Sequence, residues 1–117
     1  MGLSDIDFTE LGMNFVKAAR SQFKEFLAEN QDVDDLVVQI GKSYAVRTAE
    51  YHLAATEEDR EAARTSLRQL RNTMDLTLDG MAHLAKSAIL AQLKAGLGML
   101  LEFAIANLPT IIAMVRR

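Results

Sequence analysis

The last third of the chain limits the possible folds more than any other stretch. From Ala95 to Val115 it reads AGLGMLLEFAIANLPTIIAMV, a run with one charge, Glu102, and one proline, Pro109. A helix of that length, at about 1.5 Å rise per residue, reaches roughly 30 Å, the thickness of a bilayer's hydrocarbon layer. Each Leu or Ile removed from water contributes about 1.5–3 kcal/mol, so leaving ten exposed would forfeit roughly 15–30 kcal/mol. That exceeds the net stability of most domains. The run must therefore be enclosed by the upstream helices, by other subunits or by a membrane.

Upstream the chain is charged and its apolar residues recur at helical spacing. Half of the 117 residues are hydrophobic and a quarter are charged, which argues against a disordered chain. Six Gly, one Pro and no Trp leave little punctuation for an all-β fold. No cysteine is present, so disulfides, thiolate metal sites and a cysteine nucleophile are excluded. The start, MGLSDIDFTEL, lacks the basic region and apolar run of a secretory signal. The net charge of −3 is unevenly spread. Residues 1–56 hold five basic and nine acidic side chains, residues 57–80 four and six, and residues 81–117 four and one. The apolar third is thus also the cationic third, a combination suited to an anionic surface such as lipid or an acidic partner.

Helix-start signals divide the chain. Ser4 to Asp7 has the form of a capping box, and Phe8, Leu11, Phe15, Ala19, Phe23 and Phe26 then mark one stripe of a helix over 5–30. Asp32 is placed to cap a second helix over 33–55, with Asp34 and Asp35 near its positive end. Its stripe is Val33, Val37, Ile40, Tyr44, Thr48 and Tyr51, and Gly41 weakens its interior slightly. Thr56 to Asp59 is another capping box and opens a helix over 57–78. From Ala63 a heptad-like alternation runs through Leu67, Leu70, Met74 and Thr77 and on past Asp79-Gly80. That turn-forming pair predicts a break before a helix over 81–107, with one helix from 57 to about 107 as the alternative. Pro109 ends or kinks the last helix near Asn107 and leaves 108–117 as an apolar tail. The expected fold is all-α: a single domain over 1–117 of three to four long amphipathic helices, in a bundle or as hairpins, with a strongly apolar C-terminal helix.

No catalytic constellation emerges. Arg60, Arg64, Arg68 and Arg71 share a face that could grip phosphates, but Glu57, Glu61 and Asp75 lie at ion-pair spacing and the segment is net negative. Nucleic acid is therefore not the expected partner. Neither His52 nor His83 has a glutamate three residues before it, as a di-iron bundle requires, and Asp79 with His83 supplies only two ligands. The serines lack a nucleophile-elbow context, and Gly96-Leu97-Gly98 lies within an apolar helix without a preceding strand. The reading is a non-enzyme with no metal and no cofactor.

Setting successive residues about 100° apart separates the faces of the last helix. His83, Ser87 and Lys94 form a polar strip, and Ile89, Leu93, Leu97 and Leu100 a bulky one. Ala88, Ala91, Ala95, Gly98 and Ala106 form a face of small residues that lets another helix approach closely. Glu102 falls on that face, and its neighbours at i±3 and i±4 are Gly98, Met99, Ile105 and Ala106. Unless this face is solvent-exposed at 102, its partner must come from another helix or subunit, with the arginines of 60–71, Lys42 or Arg47 as candidates, or it lines a wet channel. A bundle three helices wide leaves little surface for Leu108, Ile111, Ile112 and Val115, so these residues, with Ala88, Ala91, Ala95, Gly98 and Glu102, form the expected interface. The chain reads as a structural or scaffolding subunit, cytoplasmic or within a larger particle, that joins copies of itself or a larger complex. The alternative is a small membrane-associated protein anchored or inserted through residues 95–115.

Overall fold

The computed structural model describes residues 8–81 and 87–115, and among these every regular element is an α-helix. In order they are α1 (Phe8–Gln22), α2 (Lys24–Glu29), α3 (Gln31–Leu53), α4 (Glu57–Gly80), α5 (Ser87–Ala106) and α6 (Leu108–Val115). The all-α expectation holds. The count of three to four helices becomes six, because the first helix divides at Phe23 and the tail forms a helix of its own. The capping box at Ser4 to Asp7 lies outside the described residues, as does His83 of the polar strip.

Four helices stack as antiparallel neighbours. Arg20 meets Asp34 between α1 and α3, Arg64 meets Tyr51 between α3 and α4, and Lys94 meets Asp79 between α4 and α5. α5 comes back to the end of α1, where a Cβ added at Gly96 would be in ordinary contact with Gln22 and Phe23. The molecule measures 46 × 26 × 18 Å. Its shortest dimension is thus under two helix diameters of about 10 Å each, so a helix buried on one side still shows its other side to water.

Each boundary can be traced to particular residues. The bend at Phe23 needs neither Gly nor Pro: Phe23 N–H still donates to the Ala19 carbonyl at 3.0 Å, and Leu27 N–H to Phe23 at 2.9 Å. The bend re-aims the next turn, so Phe26 and Leu27 enter the core while Phe23, expected in the stripe, stays half-buried. At the second start, Asn30 rather than Asp32 holds the cap position. Its backbone carbonyl takes the first bonds of α3 from Val33 and Asp34, and its side-chain amide donates back to the Phe26 carbonyl at 2.9 Å. The third start is as expected: Thr56 Oγ1 accepts from Asp59 N–H at 3.1 Å. The heptad-like stripe does not continue through Asp79-Gly80, because α4 ends at Gly80, and Leu78 rather than Thr77 takes the last core position. After α5, Asn107 joins two helices. Its amide side chain donates to the Phe103 carbonyl at 2.8 Å, and its carbonyl accepts from Ile111 N–H at 2.9 Å. Pro109 falls in the first turn of α6, where its missing N–H is not needed.

The core is built from Val33 and Val37 of α3, Leu67, Met74 and Leu78 of α4, Leu93, Leu97 and Leu101 of α5, and Leu108 of α6. Ile111 and Ile112 join it, each 9% exposed. Leu108, Ile111 and Ile112 are therefore not surplus apolar surface: α6 folds back onto α1 and α3 of its own chain.

Among the described residues, two polar ones are buried with this core, Asp34 and Thr48. Asp34 is fully engaged, taking Arg20 through both carboxylate oxygens at 2.9 and 2.8 Å. Hydrogen bonding to Arg20 holds its carboxyl below the usual range against the opposing effect of burial. Thr48 differs, since it is wholly buried and its Oγ1 makes no hydrogen bond within the described chain. An unmet hydroxyl of this kind costs about 1–3 kcal/mol in lost hydration. Thr48→Val keeps the branched shape and removes that cost. It is expected to raise the thermal midpoint by several degrees, equivalent to about 1 kcal/mol; a lowered midpoint would show that the hydroxyl is satisfied.

Candidate functional site

The two sides of α5 differ. Inward it presents Leu90, Leu93, Leu97, Leu101 and Ala104, all buried. Outward, Ala88, Ala91, Ala95 and Ala106 lie exposed together with three large apolar side chains. Met99 is 72% exposed, Phe103 62% and Leu100 40%. The helical rise puts Ala88 and Ala106 about 27 Å apart along one line, with Ala95 and Met99 between them. Single exposed apolar residues are ordinary; here several gather on one side, interrupted by the exposed Gln92 and Glu102.

Arg71 of α4 reaches over to this side of α5. Glu102, 57% exposed at its side chain, pairs with Arg71, one of the arginines that could be expected to reach it. Arg71 also stands 3.7 Å from Asp75. Gly98 lies beneath the guanidinium, where a Cβ would come within 3.4 Å of Arg71 Nε. Farther along, Lys94 Nζ donates to Asp79 at 2.9 Å, and this bond raises the ammonium pKa above its ordinary value. These pairs run along the α4 side of α5, while burial of Leu93, Leu97 and Leu101 sets which side of it faces inward.

The expected interface residues thus separate into two groups. Ala88, Ala91 and Ala95 are exposed, and Glu102 lies between Ala91 and Ala95 on the same side. Gly98 is covered by Arg71 of its own chain, and Leu108, Ile111 and Ile112 are core residues, which removes them from any outer surface. The side chain of Val115 lies outside what the structure describes. Met99 and Phe103 are the residues that sequence reasoning left out. Both fall within about 60° of Ala88 on the helical construction, but treating the helix as apolar all round beyond 95 hid the difference between its sides.

The other candidate features are engaged with one another. Arg60 pairs with Glu57 at 3.0 Å, Arg64 with Glu61 at 3.0 Å, and Arg68 with Glu61 at 3.4 Å. Hydrogen bonds from Arg64 and Arg68 lower the Glu61 pKa. Arg64 also sits 5.1 Å over the Tyr51 ring and donates to its hydroxyl at 3.1 Å. The arginine face is thus largely self-neutralised, as the ion-pair spacing suggested. An open groove of about 330 Å³ between α3 and α4 holds Lys42 and Arg47. Arg47 is already committed there, donating to the Ser66 carbonyl at 2.5 Å and hydroxyl at 2.9 Å. Among the described residues, no three His, Asp or Glu side chains gather as a metal site.

Against known proteins, the chain stands apart. No family model matches it, and neither does any curated protein or solved structure compared with it. Function must be argued from the surface of α5 itself.

Proposed function

We propose that this chain is a non-enzymatic structural subunit that works by association, through the outer strip of α5. The observation that carries the reading is the exposure of Met99 and Phe103 beside Ala88, Ala91 and Ala95 on a helix whose other side is core. Leaving two large apolar side chains in water forgoes several kcal/mol that a partner would recover. Other exposed apolar residues, Val46 at 61% and Leu53 at 57%, lie on α3 and provide an internal comparison.

Glutamate placed at each position tests the reading. Phe103→Glu and Met99→Glu are expected to bring the light-scattering mass down to the 13.0 kDa of one chain. Val46→Glu and Leu53→Glu should leave the wild-type mass unchanged. Equal effects at all four positions would point to general stickiness and end the reading.

A membrane reading draws on the same helix. Ala88–Ala106 is long and apolar enough to cross a bilayer, and 33% of its most apolar stretch is buried within the fold. Crossing would pull Leu93, Leu97 and Leu101 out of the core, so lipid would meet this chain more cheaply as a surface under the same strip. Flotation with anionic vesicles, lost in Phe103→Glu, would favour that second reading.

A further inference from the structure

We infer that the open groove between α3 and α4 binds a small phosphate-bearing ligand, with the guanidinium of Arg47 as its anchor. The site is separate from α5, since Lys42, Ser43, Val46, Arg47 and Glu50 of α3 and Ser66 of α4 line it. Arginine pairing singles it out. Arg20, Arg60, Arg64, Arg68 and Arg71 each stand in an ion pair with a carboxylate. Among the described arginines, Arg47 alone has no such partner.

Arg47 is nevertheless held in place. Its Nη1 donates to both the backbone carbonyl and the hydroxyl of Ser66, which ties the guanidinium to α4. Nε and Nη2, the other edge of the fork, make no hydrogen bond within the described chain. Arg20 shows what that edge takes: its Nε and Nη2 donate to the two carboxylate oxygens of Asp34 at 2.9 and 2.8 Å. Ser66 Oγ accepts from Arg47, so its own proton is free to donate. Lys42 is exposed and likewise without a partner among the described residues, and Ser43 adds a second hydroxyl to the lining.

Two cations and two hydroxyls match an oxyanion with several acceptor oxygens and a charge of about −1.5 to −2, which is a phosphate group rather than a carboxylate. Neighbouring charge on α4 does not oppose it. Ala62, Ala63, Gln69 and Leu70 stand one turn to either side of Ser66, and Glu61 is already engaged with Arg64 and Arg68. Glu50 is the one acidic residue of the lining, and it disfavours a second anionic group on the ligand. A groove of about 330 Å³ suits a small molecule. Because it is open, its ionic contacts are screened by water and the affinity is weak, on the order of 1 mM.

Amide chemical shifts, followed by NMR as phenyl phosphate is added to the full chain at constant ionic strength, read the site residue by residue. The shifts are expected to saturate and to centre on residues 42–50 and Ser66. Arg47→Lys keeps the charge but loses the fork, and should weaken binding about 10-fold. Lys42→Gln should weaken it several-fold and Glu50→Gln strengthen it. Lys42 is exposed, so its substitution reads the site even where a change at Arg47 loosens α3 from α4. Inorganic phosphate forms a second arm: binding as tight as that of phenyl phosphate assigns the site to the free ion, and weaker binding assigns it to a phosphate ester. Acetate should bind at least several-fold more weakly than either, and equal binding of acetate would overturn the phosphate site. So would shifts spread alike over Lys17, Lys24 and Arg60, or a titration left unchanged by both Arg47→Lys and Lys42→Gln.

Discussion

Deleting residues 108–117 is expected to unfold the chain rather than disperse an assembly. Leu108 is fully buried, and Ile111 and Ile112 are nearly so. At about 1.5–3 kcal/mol for each, their removal costs about 5–9 kcal/mol, before counting the surface uncovered on α1 and α3. A domain of this size has about that much stability in total. The truncated chain should show weak helical circular dichroism and no cooperative melting. Leu108→Ala is the graded version, with an expected loss of about 2–5 kcal/mol. A truncated protein that melts at the wild-type midpoint would show the tail to be dispensable to the core.

The second large effect concerns a close crossing of α1 and α3. A Cβ built at Gly12 would lie 2.7 Å from the Gly41 carbonyl oxygen and 3.3 Å from Ala45 Cβ. One built at Gly41 would lie 2.8 Å from Val16 Cγ2 and 2.9 Å from the Gly12 carbonyl oxygen. Val16 can turn aside, but the two backbones cannot yield without the helices separating. Alanine gains about 1 kcal/mol over glycine within a helix, and the clash must exceed that gain to show. Opening the main packing contact of the bundle disturbs Leu11, Phe15, Val37 and Ile40 together, so the clash wins. Gly41→Ala should lose about 1–3 kcal/mol net and Gly41→Leu more, read as a fall in the urea midpoint. Gly80 is the control: a methyl group added there would meet nothing within 4 Å, and Gly80→Ala should not lower the midpoint. If Gly41→Ala raised it, propensity would outweigh the crossing, and the helices would have room to spare.

How far the sequence discloses this molecule depends on the range of the forces involved. Local signals are readable: the Thr56 cap, the stop at Gly80 and the restart around Pro109 each depend on residues within a turn of one another. The crossing at Gly12 and Gly41 is not, because glycine in a helix looks like a simple propensity penalty until its opposite number is known. The bend at Phe23 is hidden for a related reason, since it follows from where Phe26 and Leu27 find a core. The tail misled through a count of available surface, in which α1 and α3 had more to offer α6 than a bundle three helices wide suggests. On α5 the small residues Ala88, Ala91 and Ala95 lie on the exposed side. At Gly98 the face was already taken, because Arg71 reaches across from α4 to Glu102.

Association of α5 with another copy is tested most directly by the oxidation of Met99 in the unmodified protein. Met99 is 72% exposed in the single chain, Met13 on α1 is 52% exposed, and Met74 is buried in the core. Peroxide converts an accessible methionine to its sulfoxide, and mass spectrometry reads each position separately. In dilute solution Met99 should oxidise at least as fast as Met13, with Met74 slow. As concentration rises Met99 should slow several-fold relative to Met13, which belongs to α1 and not to α5. A ratio of Met99 to Met13 oxidation that stays constant across the whole dilution series would contradict the account.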